Sequence, residues 1–237
     1  MHSRIRIFLA LSLALAAGPA AAQPGLGACM MGETRTARGG YYELEYGLVI
    51  HQWIDRATCG SCDGVMMLRT VELQVFQVPP PPPTPSIEIP ATVSVIGWKG
   101  SPECPVPDES VVIVPPRALT FVVPPRAGPT PFPYFARATF SPNPQFESAG
   151  FLKVEFPVAP SGSIPVVPER VITLDCPQCR QYQTSAFQHR NLHDACDNTD
   201  APVNGTTAPY ALRARGDCVW VTPSRRTSWG EVKSFYR

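Results

Sequence analysis

The sequence predicts an all-β protein: a β-sandwich of the jelly-roll or Ig-like type, with a short C-terminal helix and loops tied by disulfides. Three observations predict it. Apolar and polar side chains alternate over many short segments, 29 prolines and other turn residues separate those segments, and the chain carries 8 cysteines. Alternation with period two marks strands that bury one face, and about ten such strands separated by turns are typical of a sandwich.

The first 22 residues are expected to be a cleavable signal peptide. Arg4 and Arg6 give a positive start, the apolar run over 7–17 is too short to span a bilayer, and Ala20–Ala22 supplies the small residues before the cleavage site. A lipobox ending at Cys29 is the weaker alternative, because this cysteine lies too far beyond the apolar run. The sequence therefore predicts a secreted or periplasmic protein.

Composition restricts the partners. Cleavage removes Arg4 and Arg6 from the 20 basic residues, which leaves 18 against 19 acidic ones. A surface this close to neutral predicts no nucleic-acid partner. No later apolar stretch approaches the roughly 20 residues of a membrane helix, so no transmembrane segment is expected after signal cleavage.

Residues 23–226 are expected to form one β-sandwich domain. The proline run at 79–85 should be a stiff polyproline II spacer, and a domain split there is the alternative. The prolines at 115 and 116 are expected to end a strand, because proline lacks the N–H that ladder pairing needs. Strands are expected at 42–50, 68–78, 91–98, 110–114, 118–123, 134–140, 152–158, 170–175, 209–215 and 218–222.

Two helices are expected. The first runs from about Arg180 to Ala195. The second is the C-terminal tail, 227–237, where Ser228 and Glu231 form a capping box and Trp229, Val232 and Tyr236 share one face. We expect this aromatic stripe to pack on the domain, and a sorting or docking tag is the alternative.

The cysteines carry the most specific chemistry. An even number in an exported protein favours disulfides. Two pairs are Cys-x-x-Cys, and neither is followed by histidine, which excludes covalently attached c-type haem. The first interpretation is structural: each cysteine joins a partner elsewhere, and Cys196 and Cys218 are well placed to tie the last hairpin to the preceding loop. The disulfide candidates are Cys29, Cys59, Cys62, Cys104, Cys176, Cys179, Cys196 and Cys218.

Two other interpretations stay open. In one, zinc is bound by two Cys-x-x-Cys knuckles, or by Cys176 and Cys179 together with His189 and His193, since thiolates and imidazoles suit tetrahedral zinc. In the other, a Cys-x-x-Cys pair performs thiol-disulfide exchange, although neither pair shows the strand–helix setting of such sites. The first expectation is therefore no cofactor, with zinc as the alternative.

Two further motifs favour local structure over ligand binding. The segment 189–205 is rich in oxygen ligands that calcium could use, but its spacing does not match an EF-hand and is typical of a loop. The Arg215-Gly216-Asp217 tripeptide lies between two strand-like segments. We expect Gly216-Asp217 to be a two-residue hairpin turn, with an adhesive tripeptide at the hairpin tip as the alternative.

No catalytic motif is present in the sequence. The mature chain has three histidines, and His51 alternates with apolar residues, which predicts a structural histidine. Glu43 and Glu45 share a face and are expected to be solvated. The four tryptophans favour core packing over a sugar-stacking platform; they are Trp53, Trp98, Trp220 and Trp229.

The sequence therefore predicts a non-catalytic binding, cell-envelope or surface protein. Carbohydrate binding or adhesion is the most concrete form of this prediction, with a polysaccharide or another envelope protein as the partner. The alternative is a zinc-binding or thiol-redox protein that uses the two Cys-x-x-Cys pairs.

The order of motifs along the mature chain resembles that of uncharacterised exported proteins of environmental bacteria. The resemblance implies an exported β-sandwich with no known activity, and no functional residue is carried over from it. The segments that carry it are Cys-x-x-Cys at 59–62, VSVIG at 93–97, CPVPD at 104–108, Cys-x-x-Cys at 176–179, GDCVW at 216–220 and Trp-Gly at 229–230.

Overall fold

The computed structural model describes residues 28–34, 47–60, 62, 64–77, 86–125, 134–157, 166–168, 179–184, 192–195 and 210–219. The strands are β1 (Ala28–Gly32), β2 (Val49–Ile54), β3 (Val65–Gln77), β4 (Ile87–Gly100), β5 (Pro105–Val123), β6 (Tyr134–Thr139), β7 (Gln145–Phe146), β8 (Gly150–Glu155), β9 (Val166–Pro168), β10 (Gln181–Thr184), β11 (His193–Asp194) and β12 (Leu212–Val219), with a 3₁₀ turn at Arg56–Cys59. The all-β class is confirmed. None of the described ranges holds a helix with the length and hydropathy needed to span a bilayer.

The described strands form one antiparallel sheet. Its order is β1-β12-β3-β6-β5-β4-β8-β2-β10-β11, and β7 and β9 also pair with β3. The sheet curls into a half-barrel and brings β1 into contact with β2, although these strands are far apart in the pairing order. The sequence predicts a sandwich of two packed sheets, whereas the described strands pair into a single curled sheet.

Alternating side chains decide which face of the sheet is buried. On β2 and β8 the buried residues Ile50, Ile54, Leu152 and Val154 point into one core, together with Val71 of β3. Each such side chain contributes roughly 1.5–3 kcal/mol when it leaves water. The predicted alternation at 152–158 is therefore confirmed over the described residues. The opposite side of the sheet is called the outer face below.

The strands at 110–114 and 118–123, predicted as two, are one long strand, β5. Pro115 and Pro116 do not end it, because they lie at a bulge: Val114 pairs with Val95 and Arg117 pairs with Val93, so two residues of β5 face one of β4. At such a bulge the missing proline N–H is not needed by the ladder.

The helix predicted at about Arg180 to Ala195 is wrong. β10 and β11 lie within this range and pair with each other, Tyr182 opposite Asp194. Gln181, Tyr182 and Gln183 are all buried. The backbone N–H and carbonyl groups of β10 are paired with β2. This pairing with a distant strand cannot be predicted from the periodicity of the segment itself.

The hairpin turn predicted at Gly216-Asp217 is also wrong, because β12 runs straight through it. A β-bulge places Arg215 opposite Thr70 but Gly216 opposite Leu68. A Cβ on Gly216 would lie 2.7 Å from the sulfur of Met66, so glycine is required by close packing within the sheet rather than by a turn.

Several predicted segments lie outside the described residues. They are the signal peptide at 1–22, the proline run at 79–85, the strand at 170–175 and the tail at 227–237. The two strands that flank the proline run, β3 and β4, belong to the same sheet.

A buried amide network joins the two walls of the half-barrel. The Gln181 Oε1 accepts from the backbone N–H of Tyr210 at 2.6 Å, and the Gln181 Nε2 donates to the Tyr210 carbonyl at 2.9 Å and to the Gln52 Oε1 at 2.6 Å. The side chain thus bonds to a backbone as a neighbouring strand would. We call this contact between the walls the seam.

We predict that Gln181→Leu lowers the free energy of unfolding by about 3 kcal/mol, because it removes the three buried hydrogen bonds that the Gln181 amide makes to Tyr210 and Gln52. Urea unfolding at neutral pH measures the loss. Gln145→Leu makes the same change on the exposed face of β7 and should shift stability by less than about 0.5 kcal/mol. Equal effects of the two variants would contradict the role assigned to the seam.

Candidate functional site

A groove opens beside the seam, where the end of β1 approaches β2. Its volume is about 450 Å³, within the range of sites for small ligands. The residues after β1, the end of β2, the 3₁₀ turn and the residue before β10 form its walls. The lining residues are Gly32, Glu33, Thr34, Gln52, Trp53, Asp55, Thr58 and Arg180.

Trp53 and Arg180 form one wall of the groove and are held by the backbone. The Trp53 N–H donates to the Arg180 carbonyl at 2.8 Å, and the Gln52 Nε2 donates to the same carbonyl at 3.3 Å. The Arg180 guanidinium carbon lies 5.8 Å from the centre of the Trp53 ring, a cation–π distance. Because Gln52 also belongs to the seam network, this wall is fixed by the closure of the half-barrel.

Asp55 forms the opposite rim as the N-cap of the 3₁₀ turn. Its Oδ1 accepts from the Ala57 N–H at 2.8 Å, and its carbonyl accepts from the Thr58 hydroxyl at 2.6 Å. The turn therefore orients this carboxylate at the rim of the groove.

Gly32 allows the close approach that defines the base of the groove. Its φ is 95°, in the left-handed region, and a Cβ there would lie 2.9 Å from the Gln52 Cγ. Both the backbone conformation and the space require glycine. The next residue, Glu33, is buried, and its N–H donates to the Leu212 carbonyl at 3.0 Å, so this segment follows β12 beyond the end of β1.

The Trp53 ring also belongs to an aromatic cluster on the outer face. Its ring centre lies 5.7 Å from that of Trp98 and 5.1 Å from that of Phe151, both edge-on, and Phe151 contacts Tyr182 in the same way. The sequence favours core packing of the tryptophans over a sugar-stacking platform. Trp53 packs against Trp98 and Phe151 and also lines the groove. Trp220 and Trp229 lie outside the described residues.

The charge of the groove is mixed. Glu33 and Asp55 bring two carboxylates and Arg180 one guanidinium. Within the described ranges, the Arg180 guanidinium has no carboxylate within 4.0 Å, and it lies over the ring of Trp53. It is therefore available to a ligand that presents a hydrogen-bond acceptor.

His51 lies outside the groove, in a cluster of charged groups on the outer face. It is 1% exposed, and its Nε2 lies 3.3 Å from a Glu109 oxygen. The Lys153 Nζ lies 3.0 Å from both Glu109 and Glu155. The buried position agrees with the structural histidine predicted from sequence, but only one ring nitrogen is paired, since the Nδ1 has no hydrogen-bond partner among the residues that the structure describes.

The environment of this cluster shifts the pKa values of both its basic side chains. Burial lowers the pKa of His51 to about 4 against the opposing charge of Glu109, so the ring is neutral at pH 7. Burial also lowers the pKa of Lys153, but its hydrogen bonds to Glu155 and Glu109 outweigh that and raise the pKa above its usual value. Ser94, which pairs with Lys153, therefore faces a charged lysine that cannot act as its base.

Glu43 and Glu45, the other carboxylates singled out from the sequence, lie outside the described residues, as do His189 and the loop at 196–205. The Arg-Gly-Asp tripeptide lies within β12, hydrogen-bonded between β1 and β3. The adhesive alternative required a hairpin tip, which this strand does not provide.

Three disulfides cross-link the described chain. They join Cys29 to Cys59, Cys62 to Cys218 and Cys104 to Cys179. The predicted disulfide bonding of these six cysteines is confirmed, and Cys59, Cys62 and Cys179 each bond to a partner outside their own Cys-x-x-Cys motif. The expected tie between Cys196 and Cys218 is wrong: β12 places Cys218 beside the loop that carries Cys62. Cys176 and Cys196 lie outside the described residues.

The disulfides bear on the zinc and redox alternatives. The Cys179 sulfur is bonded to Cys104 and so is not a thiolate available to zinc. Among the described residues, no three His, Cys, Asp or Glu side chains converge as metal ligands. His193 lies in β11, while Cys176 and His189 fall outside the described ranges.

No known protein family, curated protein or solved structure matches this chain. The resemblance to exported bacterial proteins therefore stays a prediction from sequence.

Non-reducing proteolysis with mass spectrometry should yield peptides that link 29 to 59, 62 to 218 and 104 to 179. Each linked pair should separate into two peptides after reduction. A link between Cys59 and Cys62 would contradict the structural role and favour the redox alternative.

We predict that His51 makes the protein less stable in acid. The unfolded chain binds a proton at this residue near pH 6.5 and the folded chain only near pH 4, so stability present above pH 6.5 is lost as the pH falls to about 4. The loss should be about 3 kcal/mol larger in the wild type than in His51→Gln, measured by urea unfolding across this range. Parallel pH profiles of the two proteins would show that the histidine titrates normally.

Proposed function

We propose that this protein is an exported, non-catalytic binding protein whose groove at the seam takes a carbohydrate. One observation carries the proposal: a groove of about 450 Å³ with hydroxyl and carboxylate groups on one wall and, on the other, a tryptophan ring and an arginine that has no carboxylate partner among the described residues. Sugars present apolar C–H faces and many hydroxyls, and such a lining offers partners to both.

Rigidity of the groove supports binding. The Trp53 ring is packed by Trp98 and Phe151, and the Asp55 carboxylate is held as an N-cap, so neither loses much freedom when a ligand arrives. The disulfide between Cys104 and Cys179 fastens the loop after β4 to the residue before Arg180, which restrains the same wall.

Export is supported by the disulfides. Three of them would not persist in a reducing cytosol, and they agree with the signal peptide predicted from the sequence. A polysaccharide of the cell envelope or its surroundings is the partner that this location and this groove favour.

The side chains that line the groove favour a binding role. Within the described residues the groove contains no histidine or cysteine thiol, and the buried His51 and Lys153 lie elsewhere on the outer face. The groove therefore offers hydrogen bonds and an aromatic surface rather than a nucleophile with its base.

The experiment is isothermal titration of the full mature chain with soluble glucans, xylan, chitin oligosaccharides and peptidoglycan fragments. We expect one class to bind, with affinity about tenfold lower in Arg180→Ala, because the variant loses a charged hydrogen-bond donor. Trp53→Phe, which keeps an aromatic ring in the cluster, should also bind more weakly.

Lys99→Ala is the matched control, because it removes one positive charge from an exposed position on β4 that does not line the groove. Its affinity should equal that of the wild type. If none of the glycans bind, or if all three variants bind as the wild type does, the groove is not a carbohydrate site.

A further inference from the structure

Four arginines share the outer face of β12, β3 and β6. Arg213 and Arg215 alternate with the buried Leu212 and Ala214, so they point away from the core. Arg69 and Arg137, from β3 and β6, contact acidic side chains on the same side of the sheet.

Three of these arginines are neutralised by carboxylates. The Arg69 Nε lies 2.6 Å from an oxygen of Asp217. The buried Glu72 receives Arg213 at 2.7 Å and Arg137 at 3.0 Å, one on each of its oxygens. The two carboxylates of this face are therefore already engaged.

Arg215 is different. Among the residues that the structure describes, it has no carboxylate within ion-pair distance, and its Nε is buried without a hydrogen-bond partner. Directly opposite on β3, the hydroxyl of Thr70 is also buried without a partner. Thr139 of β6 lies opposite Thr70, so a guanidinium and two hydroxyls occupy one row across three strands.

Two buried polar groups side by side without partners call for a third group that satisfies both. An Arg Nε–H can only donate, and a threonine hydroxyl is able to donate. The missing group is therefore an acceptor, and the uncompensated charge of Arg215 favours an anion. Arg215 is only partly buried, so its outer end reaches solvent and gives a ligand access.

We propose that Arg215 and Thr70 bind a tetrahedral oxyanion, a sulfate or phosphate group that is either free or esterified to a larger molecule. Such a group presents several acceptors and matches the fixed donor geometry of a guanidinium. This site is formed by residues outside the groove and does not depend on the proposed carbohydrate function.

The test is thermal unfolding of the mature chain with increasing sodium sulfate or sodium phosphate, at an ionic strength held constant with sodium chloride. Both oxyanions should raise the melting temperature of the wild type in a saturable way. The apparent affinity should fall at least tenfold in Arg215→Gln and measurably in Thr70→Val. Arg137→Gln, which removes the same charge from the same face, should respond as the wild type does.

A second measurement does not depend on a variant that folds. In the wild type, sulfate should shift the NMR signal of the Arg215 Nε–H, assigned in labelled full-length mature protein. Equal stabilisation of the wild type and Arg215→Gln, or an unmoved Nε–H signal, would overturn the proposal.

Dextran sulfate and dextran separate the two sources of the oxyanion. Binding of dextran sulfate but not dextran, weakened by Arg215→Gln, would assign the site to sulfate esters. A response to the inorganic ions alone would assign it to a free ion. Both results support the oxyanion site, and no response to any of these probes would refute it.

Discussion

The amide of Gln181 meets the backbone of Tyr210 inside the curled sheet, and the shape of the molecule depends on this contact. The side chain accepts from the N–H and donates to the carbonyl, as a neighbouring strand would. A sheet that curls without closing leaves backbone groups near its seam without ladder partners, and burying them unpaired would be costly. Gln52 extends the network to the groove, since its amide also donates to the carbonyl of Arg180. The same amide network of Gln181 and Gln52 therefore closes the half-barrel and positions a wall of the groove.

Two disulfides also cross-link the strands and the turn near the seam. One disulfide ties Cys29 of β1 to the end of the 3₁₀ turn, and a second ties Cys62 to Cys218 of β12. The sequence separations of 30 and 156 residues mean that both bonds restrict large loops of the unfolded chain, which in the loop-entropy model stabilises the native state by several kcal/mol each. The groove is therefore bordered by a turn that is cross-linked to β1 and is followed, at Cys62, by a second cross-link to β12.

The outer face shows how a mainly apolar sheet accommodates charge. Glu72, 1% exposed, is balanced by two arginines from the flanking strands, and Glu109 reaches both His51 and Lys153 from a bulge in β5. At that bulge Gly97 pairs with Asp108 and Ile96 pairs with Val112, so the three residues of β5 between them have no partner on β4. The buried carboxylate of Glu72 adds little net stability, because its desolvation offsets its attraction to the two arginines. Arg215 has no such carboxylate partner among the described residues, and for that reason we propose that it binds an anion together with Thr70.

Alternation of apolar and polar residues was enough to predict the all-β class and the positions of strands such as those at 68–78, 91–98 and 134–140, because side-chain direction in a strand follows from local geometry. The even cysteine count likewise predicted disulfides. Local pattern could not decide which strands pair, so the single curled sheet, the strand at Gln181–Thr184 and the partner of Cys218 came only from the tertiary structure. Of the groove, sequence reasoning singled out Trp53 alone; Arg180 and Gln52 lie 128 residues apart, and only the closure of the sheet brings them together.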